Sequence, residues 1–155
     1  MAETSNIATA AEVISKKILL EFGWHLHDAK NINFECTNQI HFNGSEETDA
    51  DDSNSENKKT HPCDCVFSYI DPYTKERIYF HTDLKSYKKE SIQSSQIKSA
   101  IESLSAQIEC ARTSEMWKTK FLIEDEYITS IRGLLFVYNH DNRFTGDFRQ
   151  KLKEI

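Results

Sequence analysis

Two acids and a lysine carry the chain's strongest chemical pattern. Asp64 is followed, after eighteen intervening residues, by Asp83, and Asp83-Leu84-Lys85 sets an acid and an amine two positions apart. In an extended strand residues i and i+2 share a face, so Asp83 and Lys85 project together. If Asp64 sits on the neighbouring strand, the three side chains form two carboxylates and an ammonium on one surface. Two carboxylates about 5 Å apart across a strand pair repel, and each disfavours the other's ionised form. A hard divalent cation relieves that repulsion. Mg2+ suits it, because it binds through one or two carboxylates and keeps waters that a phosphate can displace. The alternative at this level is a plain salt-bridge cluster of Asp64, Asp83 and Lys85.

The elements that must position this set can be read around it. Cys63 to Ile70 and Arg77 to Tyr87 are strand-like, and Asp71-Pro72-Tyr73-Thr74-Lys75-Glu76 between them has turn chemistry. With Asp71 opposite Glu76, Tyr69 faces Ile78, Phe67 faces Phe80, Cys65 faces Thr82 and Cys63 faces Leu84, all on one mostly apolar face. Asp64 then opposes Asp83 on the other face. A slip of one residue would mix apolar and polar faces, so the pattern supports this register.

Upstream, Ile7 to Phe22 places Ile7, Ala11, Ile14 and Ile18 at helical spacing, and Gly23 is a natural stop. Ile32 to Phe42 alternates apolar and polar residues as a strand does. The stretch from Gly44 to His61 is polar and low in complexity, and is expected to be a disordered acidic loop. Downstream, a helix is expected over roughly Ser91 to Arg112, with a stripe of Ile97, Ile101, Leu104, Ile108 and Ala111. Ile131 to Tyr138 is a nearly continuous apolar run, expected to be a strand buried on both faces, and a last helix is expected from near Thr145. A strand that follows a helical crossover can lie parallel to the strand before it. The expected fold is a single α/β domain over residues 1–155, in αβββαβ order, with a mixed four-stranded sheet flanked by helices.

Composition narrows the setting. The chain has 155 residues and a net charge of −6. The acidic loop holds Glu46, Glu47, Asp49, Asp51, Asp52 and Glu56 against two lysines, so it accounts for most of that charge. An acidic chain is a poor non-specific nucleic-acid binder, which hints that any nucleic-acid affinity is shared with a partner chain or a further domain; a homodimer or a subunit of a larger complex is expected. No apolar run approaches the roughly 20 residues that span a bilayer. The first residues lack the features of a signal peptide, and a cytoplasmic location is expected. Cys63-Asp64-Cys65 lacks the two-residue spacing of a zinc knuckle. His61 and His81 could complete a zinc site with it, although core thiols in a strand are the plainer reading.

Pro62-Cys63-Asp64 followed by Asp83-Leu84-Lys85 resembles the PD-(D/E)XK motif, and the element order is similar to the restriction-endonuclease-like core of that superfamily. The resemblance covers about Ile7 to Tyr138. Glu12, with ten residues between it and Gly23-Trp24, resembles the first-helix acid of Holliday-junction resolvases and Mrr-like nucleases. The resemblance implies a metal-dependent nuclease acting on nucleic acid, DNA rather than RNA. Asp64, Asp83, the Leu84 carbonyl and Glu12 would hold Mg2+, for which Mn2+ can substitute, and Lys85 would serve the attacking water. Glu12, Asp64, Asp83 and Lys85 are thus the expected catalytic set, with an anti-phage defence complex as the expected setting. The exonuclease-like Gln-X-X-X-Tyr element is broken, since Ala100 stands in the Tyr place after Gln96. Lys88 and Lys89 beyond the strand, with Gln96 on the helix, are the expected contacts to the nucleic-acid backbone. A non-catalytic domain of the same fold that binds nucleic acid or a partner is the second reading.

Overall fold

A computed structural model describes residues 19–38, 41, 60–122 and 129–155, together with residues 9, 13 and 17. Most of the expected first helix, Glu12 included, and the acidic segment 44–59 lie outside the described residues. Thr60 and His61, expected in that loop, belong instead to a strand.

Six strands are described: β1 (His25–Leu26), β2 (Ile32–Glu35), β3 (Thr60–Cys63), β4 (Cys65–Ile70), β5 (Arg77–Tyr87) and β6 (Thr129–Asn139). The helices are α1 (Ser94–Ala111), α2 (Glu115–Phe121) and α3 (Phe148–Lys153). The main sheet runs β1-β4-β5-β6. The pairs β1·β4 and β4·β5 are antiparallel, while β5·β6 is parallel. This is the mixed four-stranded α/β sheet expected from the sequence, and the hairpin register is also as expected, with Cys65 opposite Thr82, Phe67 opposite Phe80 and Tyr69 opposite Ile78.

Strand membership differs from expectation. Among the described residues of the Ile32–Phe42 alternation only β2 forms, and it pairs with β3 in a separate two-stranded sheet; residues 39, 40 and 42 lie outside the described residues. The outer edge of β4 is taken by β1, with His25 opposite Ser68 and Leu26 opposite Phe67. Two residues are too few to carry a period, so β1 left no readable signal in the sequence. The Cys63–Ile70 strand is also broken at Asp64. Cys63 pairs with Ile32 and packs in the core beside Val66 and Tyr79, rather than facing Leu84.

Both faces of the β4–β5 hairpin are covered. On one, Trp24 stacks on Phe80 (ring centroids 4.6 Å, 8°) and on Tyr69 (5.2 Å, 4°). Trp24 follows Gly23, whose left-handed backbone (φ 75°) ends the 3-10 turn Leu20–Phe22 as a C-terminal cap. On the other face, Val66 and Tyr79 meet Phe34, Trp117, Phe121 and Ile131. Fully burying one such large side chain contributes about 1.5–3 kcal/mol. The face expected to be polar is therefore apolar for most of its length and polar only at the end of β5. The sequence reading missed α2, which supplies Trp117 and Phe121. Its start is capped by Ser114, whose Oγ accepts from Trp117 N at 3.0 Å.

On α1 the buried positions are Ile97, Ala100, Leu104, Gln107, Cys110 and Ala111, and Ile101 is exposed. The stripe is rotated from the expected one, because the helix packs small and polar residues inward. Its seat on β6 is close: a Cβ on Gly133 would stand 2.4 Å from Ile108 Cδ1 and 3.0 Å from Leu104 Cδ2. β6 is an edge strand whose residues are mostly half-buried rather than buried on both faces. α3 begins one turn later than Thr145, with Asp147 as its cap.

Candidate active site

The β4–β5 ladder stops at Cys65–Thr82, just where the acids begin. Asp64 sits in the break between β3 and β4. Its main chain is pinned by Asn31, whose N–H donates to Asp64 O at 2.9 Å from a turn with φ 50°. Its side chain replaces the missing rung, Oδ2 accepting from Leu84 N–H at 2.6 Å. That bond ties Asp64 to the backbone between Asp83 and Lys85.

Asp83 is 4% exposed. Its Oδ2 is shielded from solvent and accepts no hydrogen bond, although Lys85 Nζ stands 2.9 Å away as an ion pair. The contact is a charge contact without hydrogen-bond alignment. Burial pushes the Asp64 carboxyl above the usual carboxylate range. The Leu84 N–H opposes that rise, the charge and close approach of Asp83 add to it, and Lys85 opposes it. The two acids and the amine are therefore gathered in one place, as the spacing implied. A buried carboxylate oxygen without a hydrogen bond, beside a second carboxylate that resists ionising, is an arrangement that a divalent cation suits.

Of the remaining expected residues, Lys88 and Lys89 are exposed just beyond β5. Their backbone is fixed by the turn after β6: Lys89 N donates to Asp141 Oδ2 at 3.2 Å, and Asn139 Nδ2 donates to Tyr87 O at 3.0 Å. Gln96 is exposed in the first turn of α1. Glu12 lies outside the described residues.

Sequence reasoning missed the support beneath the acids. His81, two residues before Asp83 on the same face, is fully buried. Trp117 Nε1–H donates to His81 Nδ1 at 3.1 Å, and the Nε2 side meets Gln107 Oε1 at 3.0 Å. An indole nitrogen only donates, so Nδ1 is the acceptor and the ring is the neutral Nε2–H tautomer. Burial lowers its pKa, which keeps it neutral. Periodicity gave no hint of this network, since Gln107 sits 26 residues from His81 on another element.

The proposed Cys63/Cys65 zinc site is not formed. Burial pushes the Cys63 thiol well up and the Cys65 thiol up to about 11, and Cys63 Sγ donates to Cys65 O at 3.7 Å. Thiols held protonated in a core are poor metal ligands.

A mixed α/β sheet with paired acids and a lysine at one strand end is the arrangement that the PD-(D/E)XK resemblance implies. The match is specific: the chain belongs to the family described as GAPS4 protein PD-(D/E)XK nuclease domain, whose model covers residues 1–155. No curated protein and no solved structure matches it. Among the described residues no helix is long and apolar enough to cross a membrane.

Proposed function

We propose that this chain is a Mg2+-dependent nuclease that hydrolyses phosphodiester bonds in DNA. Mn2+ is expected to replace Mg2+. The observation that carries the reading is the buried Asp83 Oδ2, without a hydrogen bond, beside Lys85 and within electrostatic reach of Asp64. Asp64 and Asp83 would hold the cation. In an extended strand a residue's N–H and C=O project to one edge, so the Leu84 carbonyl is directed to the Asp64 side and can add a third oxygen. Glu12 is the proposed fourth, directly or through water.

When bound, a divalent cation polarises the phosphate and makes a water more acidic. Lys85 orients the attacking water and stabilises the charge gathering on the phosphate oxygens. Asp64, fixed through Leu84 N–H and Asn31 N–H, keeps its position while charge moves nearby. Lys88, Lys89 and Gln96 would contact the phosphodiester backbone. Such contacts position a nucleic acid without reading its bases, so no sequence preference is expected from this chain. We place it as one domain over residues 1–155, cytoplasmic, acting as a homodimer or as the nuclease subunit of an anti-phage defence complex. The charge of −6 favours a partner that supplies further positive surface.

The test is a cleavage panel of linear, circular and single-stranded DNA and of RNA, with Mg2+, with Mn2+ and with chelator, beside Asp83→Ala. Metal-dependent DNA cleavage by the wild type, lost in the variant, supports the reading. DNA binding without cleavage in either protein would instead identify a non-catalytic domain, for which the Asp83–Lys85 ion pair is a sufficient structural role.

A further inference from the structure

A second cluster of metal-binding side chains lies apart from the acids. Cys36, His41, His61 and Cys110 each offer one ligand atom, and these atoms all lie within 4.8 Å of one another. Cys36 Sγ is 3.7 Å from Cys110 Sγ and 3.6 Å from His41 Nδ1, and Cys110 Sγ is 3.4 Å from His41 Nδ1. The His61 ring meets the His41 ring edge-on, with centroids 5.6 Å apart. A disulfide would need its sulfurs at about 2.05 Å, so no disulfide joins the two cysteines. The three spacings among Cys36, Cys110 and His41 instead match edges of a coordination tetrahedron. With Zn–S of about 2.3 Å and Zn–N of about 2.0–2.1 Å, sulfur pairs stand about 3.75 Å apart and sulfur–nitrogen pairs about 3.5 Å.

The surroundings prepare one imidazole for that role. Glu109 Oε2 lies 3.4 Å from His41 Nε2, and Asn38 Nδ2 donates to Glu109 Oε1 at 2.8 Å. A carboxylate on Nε2 keeps the proton there and leaves the Nδ1 lone pair facing both sulfurs. This is the outer hydrogen bond that metal-binding histidines commonly make. The Cys36 thiol also donates to Asn38 O at 3.5 Å.

We infer that Cys36, His41, His61 and Cys110 form a structural zinc site, separate from the Asp64–Asp83 centre. Two thiolates and two imidazoles are the donors a borderline-soft cation selects, and neither Mg2+ nor Ca2+ favours them. Four protein ligands close the coordination shell, so the ion braces rather than catalyses. The ligands come from three parts of the fold: the segment after β2, strand β3 and the last turn of α1. The ion therefore clasps the two-stranded sheet to α1, whose Gln107 holds His81 next to the acids. The spacing of the four residues along the chain is too wide and irregular to read as a motif.

The test is metal content by mass spectrometry on full-length protein, expressed with zinc and purified under reducing conditions without chelator. One zinc per chain is expected, unchanged in Asp83→Ala and in Cys65→Ser. It should fall about tenfold or more in His41→Ala and in Cys110→Ser. Because those variants can fold poorly, the wild type is also stripped and reloaded with Co2+. Thiolate-to-cobalt charge transfer and the intense visible bands of a tetrahedral ion are expected. A wild type without zinc and without those bands overturns the proposal, as does a Cys36–Cys110 disulfide in the protein as isolated. Zinc that is lost in Asp83→Ala but kept in Cys110→Ser overturns it too, by placing the ion at the acids.

Discussion

His81 and Asp83 stand two residues apart on one face of β5, both buried, yet they are treated in opposite ways. His81 is 0% exposed and has both ring nitrogens matched, one by Trp117 and one by Gln107. Asp83 is 4% exposed and leaves Oδ2 without a hydrogen bond. A buried polar group without its hydrogen bonds costs about 1–3 kcal/mol, and more when charged. The fold offsets that cost with two hydrogen bonds at His81 and, at Asp83 Oδ2, with the Lys85 ion pair at 2.9 Å. Under the proposed function the difference separates structure from chemistry along a single strand: the matched group fixes the sheet beneath α1 and α2, while the other would keep an oxygen for a cation. Lys85, half-buried, neutralises the acid without aligning a hydrogen bond to it.

The sharpest way to break the comparison is Asp83→Ala. If Asp83 is kept for chemistry, cleavage falls by about a thousandfold or more, roughly 4 kcal/mol of transition-state stabilisation. Thermal stability in chelator should hold or rise, because the change removes a poorly satisfied buried carboxylate and leaves Lys85 partly solvated. A large loss of stability would make Asp83 a structural residue and remove the contrast.

His81→Ala should do the reverse. It opens a cavity and strands Trp117 Nε1–H and Gln107 Oε1, for a loss of about 3 kcal/mol in denaturant unfolding. Cleavage by the fraction still folded should fall far less than in Asp83→Ala. Gln107→Leu, which strands only the His81 side, should cost about 1–2 kcal/mol.

How much of this was legible before the coordinates follows the same division. The hairpin register could be read because Phe67, Tyr69, Ile78 and Phe80 alternate with period two around a turn, and that register brought Asp64 and Asp83 together. Lys85 followed from the same alternation. The break at Asp64 could not be read, because Cys63 and Cys65 look like two residues of one strand, whereas one packs with β2 and the other with β5. β1 is too short for a pattern. Among the described residues the Ile32–Phe42 alternation carries a strand only as far as Glu35. The His81–Trp117–Gln107 network and the Cys36–His41–His61–Cys110 cluster join residues far apart in sequence, and only the packing of α1 and α2 brings them together. Local periodicity carries a strand's face; it does not carry what another element lays on that face.

Acid should separate the two regions next. His27, held by burial near pH 4 and paired with Ser68 Oγ at 2.8 Å, and His81, also lowered by burial, are neutral in the fold. Unfolded histidines titrate near 6.5, so below that value the unfolded chain binds more protons and stability falls as pH falls. His27 alone should cost about 1–2 kcal/mol between pH 7 and pH 5, read as a lower denaturation midpoint that His27→Gln largely removes. Asp64 has the opposite sign. Its raised pKa means that the fold binds the extra proton, so its contribution declines as pH rises through the carboxylate range. A bound cation favours the ionised form, and the rise in melting temperature given by Mg2+ should therefore shrink as pH drops toward 5. An Mg2+ effect independent of pH would place the cation away from Asp64.

The smallest expected effect tests whether the matched region supports the unmatched one. Gly133 on β6 lies under α1, where an added Cβ would come within 2.4 Å of Ile108 Cδ1. The nearest atoms are the ends of flexible side chains, so Gly133→Ala should cost only about 1 kcal/mol of overpacking. The strain is relieved by lifting α1, and α1 carries Gln107 to His81. If the seat of α1 positions the end of β5, cleavage should drop severalfold in folded protein, with Mg2+ affinity nearly unchanged, because the carboxylates remain while their alignment shifts. Unchanged cleavage at the same stability loss would show that His81 and its partners brace the sheet alone, and that the acids take their geometry from Leu84 N–H and Asn31 N–H.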